Sequence, residues 1–549
     1  MIKNKYLFIF AITVFILLSI TGPGIFLNDE WIVGQQLNQL SQGHQITYNE
    51  GKYAYYMNGT PNNYMGARKN LLFYPMSLPL ISLPIHLLFT LILTSFYARF
   101  IIILLWAILG IYCWYNIKDG IISNISIILL LFIIVTSMAL YVPFSLSGKY
   151  DIAEVLSIGF TNILIMGIFS VIAFKLSELL FDDKNKQIVG WIASLSCTSL
   201  LFWAGTLKDH VLLSTIIILL SYCYIYYLKY NNNKYLIFTY ILAGISVWIR
   251  PEVGIFVIIF LLLFNFIYIQ RNILFTLNEL VWVFIATLPF FINNYIVTGD
   301  ILKVPFLMSQ TTSTTGSVIE KVTNTTFSEI QYATTYSYPL DVINIFFSPL
   351  SGSLGLIVPL CLFIFSLITI IKYRQKLSVE LKFLLTIGIS SIIYYIIYAG
   401  TIMQSDGGIV PDIRYFTPAY SLLVLFALSI IPYKLNYKNI IKNIFIYLPI
   451  ILIISLLSIA TLSIGETYKT FRILPEIIST ITLALMIIVF INDKTTNPVP
   501  KMEKLVPLAI VSPLVWQFIM IFVYNTSKLH YYPIFIPLSE YLFKIMFGG

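Results

Sequence analysis

The amino-acid sequence predicts an all-α, polytopic membrane protein with roughly 13–16 transmembrane helices, because apolar runs of about 20 residues recur from end to end. Its mean hydropathy is +0.88, and only 10% of its 549 residues are charged. These values exclude a soluble fold with an ordinary polar surface. A bilayer offers no partner for free backbone groups, and the runs lack the alternation of a transmembrane barrel, so they are predicted to be helices.

The first apolar run, residues 6–25, follows a basic start that contains Lys3 and Lys5. It is about as long as a full span, and no small-residue cleavage pattern follows it, which favours an uncleaved helix over a secretory signal. If the N-terminus is cytoplasmic, residues 27–75 form the first external loop. Within this loop, apolar side chains recur at helical spacing over residues 31–40, which predicts a surface helix.

The later apolar runs alternate with short basic loops. Residues 76–96 contain Pro79 and Pro84, and they are interpreted as re-entrant or interfacial unless the count of crossings is shifted by one. The other runs are predicted spans, near residues 100–117, 121–142, 158–180, 188–204, 211–228, 235–249, 253–269, 273–293, 354–371, 383–403, 416–432, 443–464, 477–492 and 505–524. The Lys-rich and Arg-rich loops are assigned to the cytoplasm, which leaves residues 294–353 as a second long external loop.

The net charge of +9 does not indicate a nucleic-acid partner, because the basic residues lie mostly in these short loops. The cysteines fall inside apolar runs without metal-ligand spacing, and they are Cys113, Cys197, Cys223 and Cys361. The histidines lack a spacing such as HExxH, and they are His44, His86, His210 and His530. The sequence therefore predicts neither a disulfide framework nor a zinc site.

One set of ionisable residues lies on the predicted external side, in short gaps beside the membrane. Its members are Asp29, Glu30, Lys149, Asp151, Glu154, Lys208, Asp209, His210, Arg250, Glu252, Asp406, Asp412 and Arg414. A charge at the centre of a membrane helix costs roughly 2.5–3.5 kcal/mol on insertion scales, so such clusters usually line a polar cavity or a substrate path. The mixture of signs favours a site in which an acid moves a proton and bases hold an anion such as phosphate.

Simpler interpretations of the same residues stay open. Asp29 and Glu30 are also consistent with interfacial charges at a helix end, and Asp151 and Glu154 with a solvated helix face. His210 is either a hydrogen-bond donor or an ordinary loop residue.

The order of these features resembles the GT-C superfamily of glycosyltransferases, in particular the group of protein O-mannosyltransferases and aminoarabinose transferases. The acidic pair after the first helix corresponds to Asp29 and Glu30. The stretch LFWAGTLKDHVLLSTIIILL, followed by YILAGISVWIRPEVGI with Arg250, is similar to prokaryotic members, and DIRYFTPAY around Arg414 is similar to their Arg-Tyr-x-x-Pro segment. The resemblance covers residues 1–424 in outline, although the first loop has no DxD and GARKNLLFYP matches its basic end only loosely.

The resemblance implies an inverting transfer of a hexosyl or pentosyl group from a dolichyl- or undecaprenyl-phosphate donor to a hydroxyl on the external side. The acceptor is a glycan, a lipid or a protein. Asp29 would be the general base, and Glu30 would orient the acceptor or a basic partner. Cations would stabilise the departing phosphate, the candidates being Arg250, Arg414, Lys69, Lys208 and His210. A divalent cation is neither required nor excluded.

Further residues are expected to line the donor or acceptor pocket, namely Trp31, Asp151, Glu154, Asp209, Glu252, Asp406 and Tyr415. Residues 1–434 are interpreted as the catalytic transmembrane module and residues 435–549 as C-terminal helices of unknown role. Two other functions stay open, a transporter or flippase of lipid-linked glycans and a polymerase or ligase of such glycans.

Overall fold

The structure is a computed structural model. It describes residues 5–20, 30–44, 47–48, 71–72, 75–92, 108, 153–269, 273–302, 354–397, 414–431, 437, 447, 450–451, 454, 467–492 and 498–526. Its helices are α1 (Lys5–Ile20), α2 (Glu30–Ser41), α3 (Ser77–Ile92), α4 (Ala153–Leu180), α5 (Lys184–Ser196), α6 (Leu200–Trp203), α7 (His210–Tyr230), α8 (Asn233–Ile249), α9 (Pro251–Tyr268), α10 (Ile273–Thr298), α11 (Leu354–Tyr373), α12 (Val379–Ile397), α13 (Thr417–Ile430), α14 (Thr467–Asn492) and α15 (Pro498–Thr526). A 3₁₀ turn, Arg414–Phe416, precedes α13, and the strands β1 (Thr47–Tyr48) and β2 (Leu71–Leu72) pair antiparallel.

The prediction of an all-α polytopic membrane protein is confirmed. Within the part of the chain that the structure describes, five helices are long and apolar enough to cross a membrane, namely α4, α7, α9, the segment Glu279–Thr298 of α10, and α12. Shorter apolar helices include α8 and α13. The predicted spans at 100–117, 121–142 and 443–464 fall largely outside the described residues, so the number of crossings stays a prediction.

The predicted span at residues 188–204 is wrong as one continuous helix, because α5 ends at Ser196 and α6 begins at Leu200. The hydroxyl of Thr198 accepts a hydrogen bond from the Leu200 amide and so competes with helix formation. The Gln517 side chain satisfies both broken ends, since its oxygen accepts from the Leu201 amide at 3.0 Å and its nitrogen donates to the Ser196 carbonyl at 3.2 Å. These side chains hydrogen-bond the backbone groups that the break leaves free, so the chain can interrupt the helix inside an apolar bundle.

The chain forms two compact units. Unit 1 comprises Met1–Ile168, Phe202–Lys208 and Ile519–Gly549, and unit 2 comprises Phe169–Leu201 and Asp209–Phe518. In unit 1, α2 packs against α3. Helix α2 confirms the predicted helix in the first loop. Helix α3 shows that residues 77–92 are helical despite Pro84. The predicted division into a catalytic module, residues 1–434, and C-terminal helices, residues 435–549, is by role and differs in kind from these compact units. It stays a prediction.

Unit 2 is a bundle in which α8 packs against α7, α9 and α10, and α13 packs against α5, α7, α11 and α12. Helices α8 and α10 approach closely at Gly244, where an added Cβ would lie 2.6 Å from the Val283 carbonyl oxygen and 2.7 Å from the Ala286 Cβ. Beside this contact, the Thr287 hydroxyl donates to the Val283 carbonyl. The close approach therefore requires a residue without a side chain.

Replacing Gly244 with Ala is expected to lower the free energy of unfolding by about 1–3 kcal/mol, because overpacking against backbone atoms outweighs the better helix propensity of Ala. Thermal unfolding of the purified protein in detergent measures the change. Gly159→Ala is the matched control, since its added Cβ would meet only the Gly205 oxygen at an ordinary 3.9 Å. Equal unfolding temperatures for the two variants would show that α8 and α10 do not pack as described.

Candidate active site

Arg250 is a charged residue placed where two membrane helices meet, at the end of α8 and before Pro251, the first residue of α9. A residue before proline is restricted to extended conformations, and Arg250 has φ −144° and ψ 96°. The chain therefore turns here, and the side chain is directed into the bundle with 8% of the residue exposed.

The Arg250 guanidinium contacts two carboxylates. Its Nε and Nη2 donate to the same oxygen of Asp209, Oδ1, at 3.2 and 2.8 Å. Its Nη1 lies 3.5 Å from Oε1 of Glu252. Two acidic groups therefore surround one cation, and the three side chains together carry one negative charge when all are ionised.

Aromatic residues complete the surroundings of Arg250. The Tyr395 hydroxyl donates to Glu252 Oε1 at 3.0 Å, and its ring stacks on Tyr415 with centroids 4.7 Å apart. The guanidinium lies 5.4 Å from the centroid of the Tyr415 ring, a cation–π distance. We call the five residues Asp209, Arg250, Glu252, Tyr395 and Tyr415 the Arg250 cluster.

The Arg250 cluster lies where the ends of five helices meet in unit 2. Asp209 precedes α7, Arg250 joins α8 to α9, Tyr395 is near the end of α12, and Tyr415 precedes α13. Because these helix ends meet at one cluster, they lie at the same end of the bundle, as the predicted alternation of internal and external loops requires. The predicted pocket residues Asp209, Glu252 and Tyr415 are thereby brought together with Arg250.

Basic residues occur at the opposite ends of the same helices. Lys382, at the start of α12, lies 4.9 Å over the ring of Tyr268, the last residue of α9. Lys229, in the last turn of α7, donates to the Leu179 carbonyl at the end of α4. This distribution agrees with a cytoplasmic face opposite the Arg250 cluster, although the orientation in the membrane stays a prediction.

The two carboxylate oxygens of Asp209 have different surroundings. Its Oδ1 accepts both bonds from Arg250. Its Oδ2 is buried, and it has no hydrogen-bond partner among the residues that the structure describes. A buried carboxylate oxygen needs donors, so this atom is suited to accept a hydrogen bond from a hydroxyl group of a bound molecule.

His210 follows Asp209 and begins α7. Its ring lies edge-on to Tyr415, with the centroids 6.2 Å apart. The residue is buried beside the Arg250 cluster, and its predicted contact with phosphate stays a prediction.

In unit 1, polar side chains fix the turn that carries Lys208. Glu30, with 0% exposure, accepts a hydrogen bond from the Leu207 amide on its Oε2 at 3.2 Å. The Asn162 side chain donates to the carbonyls of Thr206 and Lys208 at 2.8 and 2.9 Å. Three successive residues are thus held by side chains, and Lys208 is 1% exposed.

Replacing Glu30 with Ala is expected to accelerate hydrogen exchange of the Leu207 amide by about 10- to 100-fold, because a hydrogen bond to a charged acceptor contributes about 1.5–3 kcal/mol. Mass spectrometry of a peptide covering residues 204–208 measures this rate. Glu30→Gln keeps an acceptor oxygen at the same position, so a smaller acceleration is expected. If Glu30→Ala exchanges as slowly as the unmodified protein, Glu30 does not hold this turn.

A second polar group in unit 1 surrounds Glu154. The Asn38 side chain donates to Glu154 Oε1 at 2.7 Å, and His86 Nε2 lies 4.0 Å from the same oxygen. His86 Nδ1 lies 3.4 Å from the hydroxyl of Ser157, one turn further along α4. Glu154 is buried and is therefore not part of a solvated helix face.

Several predicted site residues cannot be placed. Asp29, Lys69, Asp151 and Asp406 lie outside the residues that the structure describes, and only the backbone is described for Trp31 and Arg414. Among the described residues there is no group of three or more metal-ligating side chains.

Several contributing residues were not predicted from the sequence, among them Asn162, His86 and Tyr395. Asn162 and His86 are polar residues inside apolar runs, and this pattern could have identified them as candidates for a structural or functional role. Tyr395 gave no such signal, because it is one of many tyrosines in apolar runs.

No family model matches this sequence, and no curated protein matches it. Among solved structures, the chain is similar to the crystal structure of ArnT from Cupriavidus metallidurans bound to undecaprenyl phosphate. The TM-score is 0.49 and the sequence identity 10%, over 94% of this chain and 77% of that chain. At these values the likeness assigns neither a family nor an activity.

Proposed function

We propose that the protein is a membrane glycosyltransferase that moves a sugar from a polyprenyl-phosphate donor to an acceptor hydroxyl on the non-cytoplasmic side. The observation that carries this proposal is the Arg250 cluster, a largely buried group of mixed charge at the meeting point of five helix ends. An apolar tail fits between membrane helices, and a polar headgroup fits a charged site at their ends. Such a donor therefore matches both the scaffold and the cluster.

The sugar is the part of the donor that the Arg250 cluster is best suited to bind. Asp209 Oδ2 is a buried acceptor without a partner among the described residues, and sugar hydroxyls are donors. Arg250 holds the carboxylate through its other oxygen, which fixes the direction of Oδ2. Arg250 is in this view a positioning residue for Asp209 as well as a candidate contact for the donor.

Phosphate binding requires cations in addition to Arg250, because two carboxylates already balance its charge. Arg414 precedes Tyr415 in the 3₁₀ turn at the cluster and is the first candidate. Lys208, Lys69 and His210 are the further candidates. As the sugar–phosphate bond breaks, the phosphate gains negative charge, so cations already in place stabilise the transition state more than the bound donor.

The proposed reaction is a single inverting displacement. The acceptor oxygen attacks the anomeric carbon, the bond from that carbon to the phosphate oxygen breaks, and polyprenyl phosphate leaves with the bonding electrons. Asp29 takes the proton of the attacking hydroxyl. Glu30 orients the acceptor or a basic partner in this proposal, and within unit 1 its carboxylate also holds the turn that carries Lys208.

A transporter or flippase of lipid-linked glycans is the alternative from another class. It would move the donor across the membrane and leave the sugar–phosphate bond intact. A polymerase or ligase of lipid-linked glycans would break that bond but would need a glycan as acceptor. Product analysis therefore separates the three functions.

The test is to incubate the purified protein with a panel of polyprenyl-phosphate sugars, with and without acceptor glycans, lipids and peptides. Release of polyprenyl phosphate together with a new glycosidic bond is the expected result. An intact donor under all conditions, with donor movement across liposomes, would replace the transferase by the transporter.

A further inference from the structure

A second buried acidic residue lies on α10, in the membrane-spanning part of unit 2. Glu279 is 5% exposed, and it lies six residues after Ile273, the start of α10, or about 9 Å along the helix axis. An ionisable group inside a membrane bundle costs free energy, so we expect Glu279 to have a functional role.

The neighbours of Glu279 that the structure describes are neutral. Its Oε2 accepts a hydrogen bond from the Asn265 side chain at 3.0 Å, and the Asn265 oxygen accepts from the Tyr224 hydroxyl at 3.2 Å. From α8, the Tyr240 hydroxyl shares a hydrogen bond with the Glu279 carboxyl, and Tyr227 on α7 is close enough to be affected by its charge. Among the residues that the structure describes, no Lys, Arg or His forms an ion pair with Glu279.

Oε1 of Glu279 and the hydroxyl of Tyr240 are both buried, and the two side chains are each other's neutral partner. An ionised carboxylate without a cation is too costly to bury, and such a group takes up a proton instead. The Tyr240 hydroxyl is both a donor and an acceptor, so it can stay hydrogen-bonded to the carboxyl when the carboxyl carries a proton.

We propose that Glu279, Asn265 and Tyr240 form a proton-binding site inside the membrane-spanning bundle, in which Glu279 is held as the neutral acid near neutral pH. The proton comes from solvent and joins the carboxylate, and no other bond changes. The site connects α8, α9 and α10 one helical turn from the close approach at Gly244. Loss of the proton would place an uncompensated charge between these helices and drive them apart.

Infrared spectroscopy of the full-length protein in nanodiscs near neutral pH tests the proposal. In the spectrum of the unmodified protein minus that of Glu279→Gln, the carbonyl band of a protonated carboxyl group is expected, and it should shift in D2O. Carboxylate bands in its place would overturn the proposal. The matched control is Glu380→Gln at the start of α12, for which only carboxylate bands should be lost.

Tyr240→Phe provides a second measurement that does not depend on folding of the Glu279 variant. Removing the hydroxyl is expected to shift the carboxyl band without abolishing it, and an unchanged spectrum would overturn the role of Tyr240. Because the amide of Gln mimics the neutral acid, Glu279→Gln should also fold normally, and failure to fold would count against a protonated carboxyl. Conversion of the carboxyl band to carboxylate bands on addition of Na⁺ would replace the proton by a metal cation as the ligand.

Discussion

Replacing Arg250 with Met is expected to destabilise the protein by about 3–5 kcal/mol, because removal of one partner leaves a buried charge uncompensated. The charge in question is that of Asp209, which is 2% exposed and whose Oδ1 accepts two hydrogen bonds from the guanidinium. Sugar transfer should also be lost, since Asp209 would no longer be fixed. Unfolding in detergent and donor turnover measure the two effects.

A double-mutant cycle provides the control. Asp209→Asn removes the charge that Arg250 balances, so Arg250→Met should cost much less stability in that background, with a coupling of about 0.5–3 kcal/mol. Arg250→Lys keeps the charge but lacks the planar fork that bridges Asp209 and Glu252, and it should retain only part of the stability. Additive effects in the cycle would show that the two side chains do not form a pair.

Replacing Asp29 with Asn is expected to reduce transfer by about 10²- to 10⁴-fold, the usual contribution of a general base. The amide keeps the size of the side chain but cannot take the proton of the acceptor hydroxyl. Steady-state turnover of the donor with saturating acceptor measures the loss. Expression and thermal stability should be unchanged.

Asp300→Asn is the comparison for this substitution. Asp300 follows α10 on the same predicted side, where its carboxylate accepts a hydrogen bond from the Leu302 amide, and it has no proposed part in the reaction. Full activity is expected for this variant. A fully active Asp29→Asn protein would refute the assignment of the base.

The membrane helices were predictable because apolar length alone determines them in a bilayer. Runs such as 211–228 and 235–249 correspond to α7 and α8 within a few residues. The grouping of Asp209, Arg250 and Glu252 also followed from charge, because ionisable residues at adjacent helix ends on one side are forced towards one another.

Contacts between distant segments could not be predicted. Glu30 was predicted to orient the acceptor or a basic partner, and the contact of its Oε2 with the Leu207 amide, 177 residues away, was not predicted. The break between α5 and α6 depends on Gln517, more than 300 residues further along the chain. Hydropathy is a local property, and it carries no information about which distant side chain satisfies a backbone group.

The most direct test is a count of products in proteoliposomes that contain the purified protein, a labelled polyprenyl-phosphate sugar and an acceptor alcohol. A glycosyltransferase should release one polyprenyl phosphate for each new glycosidic bond, with inverted configuration at the anomeric carbon, and Arg250→Met should stop both. Donor that is consumed or moved without any glycosidic product would contradict a transferase built around the Arg250 cluster.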